Sequence, residues 1–240
     1  MPAFGEEMNK SRRMAALLGR SLAEGGIPTL LPDLWGTGDS GGDFADARWD
    51  IWRADLQAAV GLLRDLGARS VVLVALRFGA LLALDLLRGL ALPVTRLVLW
   101  QPVISGSQYL TQFLRLRVAS ALAEGGGATV RAVREELERL GSVEIGGYEL
   151  PLELAQAIDR ARLDAVCPEI TTPVHWLDVA SDPARPLVSP AQQLVDDWRR
   201  AGVCVAVMRV RGDAFWATQE ITEVPELVAT TTRVLTMPAE

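Results

Sequence analysis

The feature that most restricts this chain is an alternation of short apolar runs with longer amphipathic ones. Ser70 to Ala75, Arg96 to Trp100, Val174 to Val179 and Val203 to Val210 have the length of strands, and helical patterns lie between them. Such alternation builds a parallel sheet covered by helices on both faces. Ser70 to Ala75 is continuously apolar, as a strand buried on both sides must be. Trp49, Trp52, Leu56, Val60 and Leu63 recur at spacings of three and four and mark the buried face of one helix. Met8, Ala15, Leu18 and Leu22 mark another, which Gly25-Gly26 stops. Phe78 to Leu90 is apolar nearly all round and is expected as a central helix, and Thr29 to Leu31 as a further strand. Ser189 is expected to cap a helix with Pro190 at its first position, Gly202 to end it, and a last helix to begin near Val224-Pro225. With 240 residues, half of them hydrophobic, a single large domain can bury its core.

The rhythm breaks between Val103 and Val166. Helical patterns at Tyr109 to Leu122 and at Val130, Val133, Leu137 and Leu140 are separated by Gly125-Gly126-Gly127. Val143 to Ile145 and Tyr148 to Leu150 then flank Gly146-Gly147 as a hairpin. The expected organisation is a doubly wound, mostly parallel α/β core over residues 1–102 and 167–240, with an inserted cap over 103–166.

Several function classes are disfavoured. A net charge of −6 argues against a nucleic-acid surface. The single histidine, His175, excludes a His-rich metal site, and no metal or cofactor is expected. Cys167 and Cys204 have apolar neighbours and are expected to be small core residues of a reducing compartment. No apolar run reaches the ~18 residues of a membrane span. Glu6, Glu7, Lys10, Arg12 and Arg13 stand where a signal peptide would be apolar, so a cytoplasmic location is expected.

The loop Asp33-Leu34-Trp35-Gly36-Thr37-Gly38-Asp39-Ser40-Gly41 satisfies G-x-G-x-x-G. In a dinucleotide site those glycines open a helix whose N-terminus meets pyrophosphate. Here Gly42, Asp43 and Phe44 intervene, and Asp39 and Asp43 would repel phosphate, so a turn after a strand is the favoured reading. The same D-x-x-G-x-G-x-S string follows the fourth strand of many α/β-hydrolases. In that fold the next strand-to-helix turn carries the nucleophile between small residues. Ala75-Leu76-Arg77-Phe78-Gly79 occupies this place, with Arg77 where serine is required. A guanidinium stays protonated and cannot attack a carbonyl. The segment after the last strand, Val210 to Trp216, offers Asp213 but no histidine to act as base, and Asp182 stands near the acid position. His175 lies inside a strand beside Trp176 and reads as a buried or half-buried strand residue.

Glu6 to Arg13, the Gly36-Thr37-Gly38-Asp39-Ser40 loop, the elbow Leu76-Arg77-x-Gly79-Ala80-Leu81-Leu82-Ala83, Leu99 to Val103, and Phe215-Trp216-x-x-Gln219-Glu220-Ile221 together resemble the second hydrolase family associated with exosortase A systems. The resemblance implies an α/β-hydrolase fold, an arginine at the elbow, and a setting of exopolysaccharide production and exosortase-linked protein sorting. That family has strands ahead of the segment matching Glu6 to Arg13, whereas only Met1 to Gly5 precede it here. The expectation is therefore a sheet lacking its N-terminal strands, with an exposed edge open to oligomerisation.

Two functions fit these residues. One is a pseudoenzyme that binds an anionic pathway intermediate, a small molecule, glycan or lipid, or a partner, around Arg77, Phe78, Glu7, Asp39, Ser40, Gln101 and Trp216. The other is a hydrolase or esterase-like enzyme using non-triad residues such as Glu7, Asp39, Ser40, Asp182 or Asp213. Arg77 itself is expected either to grip an anion with two parallel donors, or to pair internally with Glu7, Asp182 or Asp213.

Overall fold

The structure, a computed structural model, describes residues 1–87, 89–123, 125–169 and 171–237. Arg88, Glu124, Ile170 and 238–240, which fall in the expected central helix, cap and C-terminal core, lie outside the described residues. In chain order the elements are α1 (Glu6–Glu24), α2 (Trp49–Asp65), β1 (Val71–Leu76), α3 (Gly79–Leu86) and β2 (Val94–Trp100). Between β2 and the next core strand follow α4 (Gly106–Ala123), α5 (Val130–Leu140), β3 (Ser142–Ile145), β4 (Tyr148–Pro151) and α6 (Leu152–Arg160). The core resumes with β5 (Val174–Ala180), α7 (Ser189–Arg200), β6 (Val205–Arg211) and α8 (Pro225–Thr236).

The four core strands form one parallel sheet in the order β1-β2-β5-β6. Successive side chains of each strand leave on opposite faces. Val98 and Trp100 therefore join Met14, Leu18 and Leu22 of α1 and Leu227 of α8 on one side. Leu97 and Leu99 join Trp52 and Leu56 of α2, the α3 leucines and Trp198 of α7 on the other. The α3 segment Gly79 to Leu84 is buried at every position, as its all-round apolar character requires. It stops at Leu86, earlier than the apolar run, where the Gly89 N–H turns back to the Leu86 carbonyl. In a separate two-stranded sheet, β3 and β4 pair antiparallel around Gly146 and Gly147, both at positive φ (57° and 84°), the backbone a two-residue hairpin turn demands.

Three expectations are corrected. Thr29 to Leu31 has no regular secondary structure and pairs with no strand, and Leu30 and Leu31 are exposed. A strand exists only through its neighbour, and the edge of β1 is met by Met1 instead. The Met1 amino group donates to the Val74 carbonyl at 2.6 Å, and the Leu76 N–H donates to the Met1 carbonyl at 3.1 Å. No strand element precedes β1 among the described residues. Cys167 and Cys204 are exposed, not in the core. Cys167 lies in the loop before β5 and Cys204 just before β6, although Val203 and Val205 beside Cys204 are buried. Ser189 lies inside α7, Val188 takes the cap position, and no side chain caps the helix.

Candidate functional site

The turn between β1 and α3 has the geometry of a nucleophile elbow. Arg77 adopts φ 53°, a left-handed conformation that costs a side chain-bearing residue roughly 1–2 kcal/mol. Backbone bonds hold it there: its N–H donates to the Trp100 carbonyl at 2.9 Å, and its carbonyl accepts from Val103 N–H at 3.1 Å. Gly79 must be small, because a Cβ there would stand 2.5 Å from the Pro2 carbonyl oxygen. Gln101, at the exit of β2, is the other non-glycine residue at positive φ (44°) among the described residues.

The Arg77 side chain is largely buried and internally engaged. Its Nε donates to both Glu7 oxygens at 3.3 Å, its Nη2 to Glu7 Oε1 at 3.1 Å and its Nη1 to the Gln101 carbonyl at 3.3 Å. The guanidinium carbon lies 5.2 Å from the centroid of the Trp216 ring and 5.9 Å from that of Tyr109, within cation–π range. Tyr109 donates its hydroxyl to Glu7 Oε2 at 3.0 Å. Burial, then the Glu7 carboxylate, raise the Tyr109 hydroxyl well above its ordinary range, so it stays a neutral donor. Glu7 reaches the elbow because Gly5, at φ 57°, turns the chain into the first turn of α1. Arg77, Glu7, Gln101 and Trp216 are thus brought together, joined by Tyr109.

The other candidates lie elsewhere. Phe78 is in the core, against Phe4, Trp49, Trp52 and Tyr109. Ser40 donates to the Leu34 and Thr37 carbonyls and closes its own loop, while Asp39 is exposed and pairs with Arg12 at 3.3 Å. That glycine loop runs into a short 3₁₀ turn, Phe44–Asp46, rather than a long helix. Asp182 accepts from the Ala184 N–H and pairs with Arg185 at 3.6 Å; Asp213 is exposed, and neither contacts Arg77. His175 is half-buried in β5, with its Nδ1 unpartnered, and burial followed by the charge of Arg96 lowers its pKa. It lies in register with Val98, two residues before the level of Trp100 and the elbow. Among the described residues no set of three His, Cys, Asp or Glu side chains is arranged to hold a metal ion.

A cavity of about 390 Å³ opens beside Arg77, between the strand ends, α4 and the start of α7. One wall is Trp176 and Asp178 of β5. Asp178 pairs with Arg209 at 2.8 Å, and its burial raises the carboxyl pKa against the pull of that arginine. The sequence reading missed both; the signal that could have found them is a charge inside each apolar strand, Asp178 in Val174 to Ala180 and Arg209 in Val205 to Arg211, and the two face each other in register. Tyr109, Gln108 and Gln112 carried no signal beyond their helical spacing.

No protein-family model matches the chain, and no curated protein matches its sequence. Solved structures do. Est1E from Butyrivibrio proteoclasticus, with ferulic acid bound, superposes at a TM-score of 0.66 with 17% identity, over 93% of this chain and 81% of that one. Alpha/beta hydrolase domain-containing protein 10 from mouse gives 0.57 at 17% identity, over 98% and 85%. A proline iminopeptidase-related protein from Thermus thermophilus gives 0.55 at 17% identity, over 92% and 84%. The likeness shows the α/β-hydrolase fold.

Proposed function

We propose that this chain is a ligand-binding member of the α/β-hydrolase fold that performs no triad hydrolysis. One observation carries the reading: the nucleophile's place is held by a guanidinium clamped between Glu7, Gln101 and Trp216. Such a group has no lone pair to give and no accessible proton to lose. The segment after β6 holds no imidazole, so a substituted nucleophile would also lack its base. The cavity beside Arg77 is the ligand's seat in this reading. Glu7 already supplies the guanidinium with a carboxylate, so an anion must compete for it. The setting implied by the family resemblance, a cytoplasmic step of exopolysaccharide production and exosortase-linked sorting, belongs to this proposal and rests on the sequence motifs.

Asp178 supports a second, hydrolytic reading, since a carboxyl whose pKa is raised beside a cavity is suited to general-acid work. One assay separates the two. A fluorophosphonate probe and p-nitrophenyl esters are applied to the wild type and to Arg77→Ser. The expected outcome is no labelled serine and no turnover above background in either protein. Stoichiometric labelling of the wild type, or steady ester turnover that Asp178→Asn abolishes, would overturn the binding reading in favour of the hydrolytic one.

A further inference from the structure

The walls of the cavity are charged, yet every charge on them is already paired. Arg77 faces Glu7 at 3.1 Å, Arg162 faces Asp164 at 2.5 Å, and Asp178 faces Arg209 at 2.8 Å. Each pair sums to zero, so the field inside is that of dipoles rather than of a net charge. An anion entering would gain little from the arginines and would meet the carboxylates of Asp164 and Asp178 on the walls.

Uncommitted hydrogen-bonding groups remain. Three of the five Arg77 N–H groups are used, which leaves two with no protein acceptor among the described residues. Gln101 accepts from the Val179 N–H through Oε1 at 2.8 Å and turns its amide towards the Asp178 carboxylate, which leaves one of its two amide N–H groups for a ligand. Trp176 also lines the cavity; it is 1% exposed, and its indole N–H has no acceptor in the protein. An orphaned buried donor costs on the order of 1–3 kcal/mol, a deficit that an oxygen in the cavity would remove. At the mouth, Gln108 and Gln112 lie four residues apart on one face of α4 and bring two further amides, each both donor and acceptor.

We infer that this cavity takes a neutral, polyhydroxylated ligand, with the size and chemistry of a pyranose sugar. Hydroxyl groups donate and accept at once, which matches a wall of mixed amide, indole and carboxyl groups better than any anion does. The volume, at the small end of the ~300–1,000 Å³ range of ligand pockets, suits a ligand of this size. This inference rests on the binding reading above and specifies its ligand class.

The test is calorimetric titration of the whole chain with glucose and N-acetylglucosamine, set against their charged counterparts glucuronate and glucose 6-phosphate. At least one neutral sugar is expected to bind about tenfold more tightly than either charged sugar. Gln108→Ala and Gln112→Ala remove exposed side chains that hold no part of the core. Each is expected to weaken the neutral sugar about two- to tenfold, the range of one hydrogen bond. Gln57→Ala, on α2, is expected to change nothing. A charged sugar that binds more tightly, no neutral sugar bound at millimolar concentration, or affinity untouched by both glutamine variants would overturn the ligand class. Hydrolysis of p-nitrophenyl acetate by the same protein would instead overturn the binding reading, so the two failures are distinguishable.

Discussion

Arg77 shows how far a single residue can be read before its surroundings are known. Its place between a strand and a helix was legible from spacing alone, and its left-handed φ is 53°. Its partner was not legible. Glu7, Asp182 and Asp213 were equal candidates in the sequence, and the choice depends on which loops rise to the top of the sheet. The chain turns at Gly5 and delivers Glu7, while Asp182 binds its own loop and Asp213 points to solvent. Two costs follow for substitutions at this site. Arg77→Ala leaves Glu7 without its cation and is expected to lose about 1.5–3 kcal/mol in chemical denaturation, the size of hydrogen bonds to a charged group. Arg77→Gly loses the same bonds but relieves the left-handed backbone, and should be about 1 kcal/mol more stable than the alanine variant. Equal midpoints for the two variants would mean the elbow carries no backbone strain.

Among elements, continuous apolar runs were the most legible, because a strand buried on both faces leaves no freedom in its composition. β1, β2, β5 and β6 came within a residue or two of their expected bounds, and the β3–β4 hairpin came where its glycine pair required. Thr29 to Leu31 failed for the reason that a strand is a property of two segments. Its own apolar run cannot show whether a partner strand lies beside it. The converse also went unseen: Met1 to Phe4, too short to read as an element, contributes one of the most connected side chains of the core. Phe4 is 3% exposed and meets Phe44, Trp52, Phe78, Tyr109 and Phe113 with ring centroids 5.0 to 6.0 Å apart. Phe4→Ala is expected to cost about 3–5 kcal/mol, the usual loss for a fully buried aromatic side chain. Leu31→Ala, in the unpaired segment, should stay within about 0.5 kcal/mol of the wild type. Comparable losses for the two in urea denaturation would show that Thr29 to Leu31 is packed rather than free.

At the scale of the whole molecule, the groups whose pKa values folding perturbs set how stability follows pH. The Met1 ammonium sits against β1, and burial lowers its pKa from 8.0 to about 5. His175 is lowered from 6.5 by burial and by Arg96. Both are bases that the folded state prefers neutral, so between the folded and unfolded pKa values the unfolded chain binds more protons. Stability therefore rises with pH across that window, is complete above about 8 and is lost as pH falls towards 5. Asp178 acts oppositely and lower: its pKa is raised from 3.8, so deprotonating it as pH climbs through that range costs stability. Three pH units at 1.36 kcal/mol each set an upper bound near 4 kcal/mol for the amine, and about 2–4 kcal/mol is expected once water access is allowed for. The measurement is the urea midpoint of the 240-residue chain between pH 5 and 8, on protein whose Met1 is verified by mass. Acetylating the amine removes the larger titration and should flatten the curve to the smaller contribution of His175. A slope that survives acetylation unchanged would show that Met1 does not occupy its place against Val74 in solution.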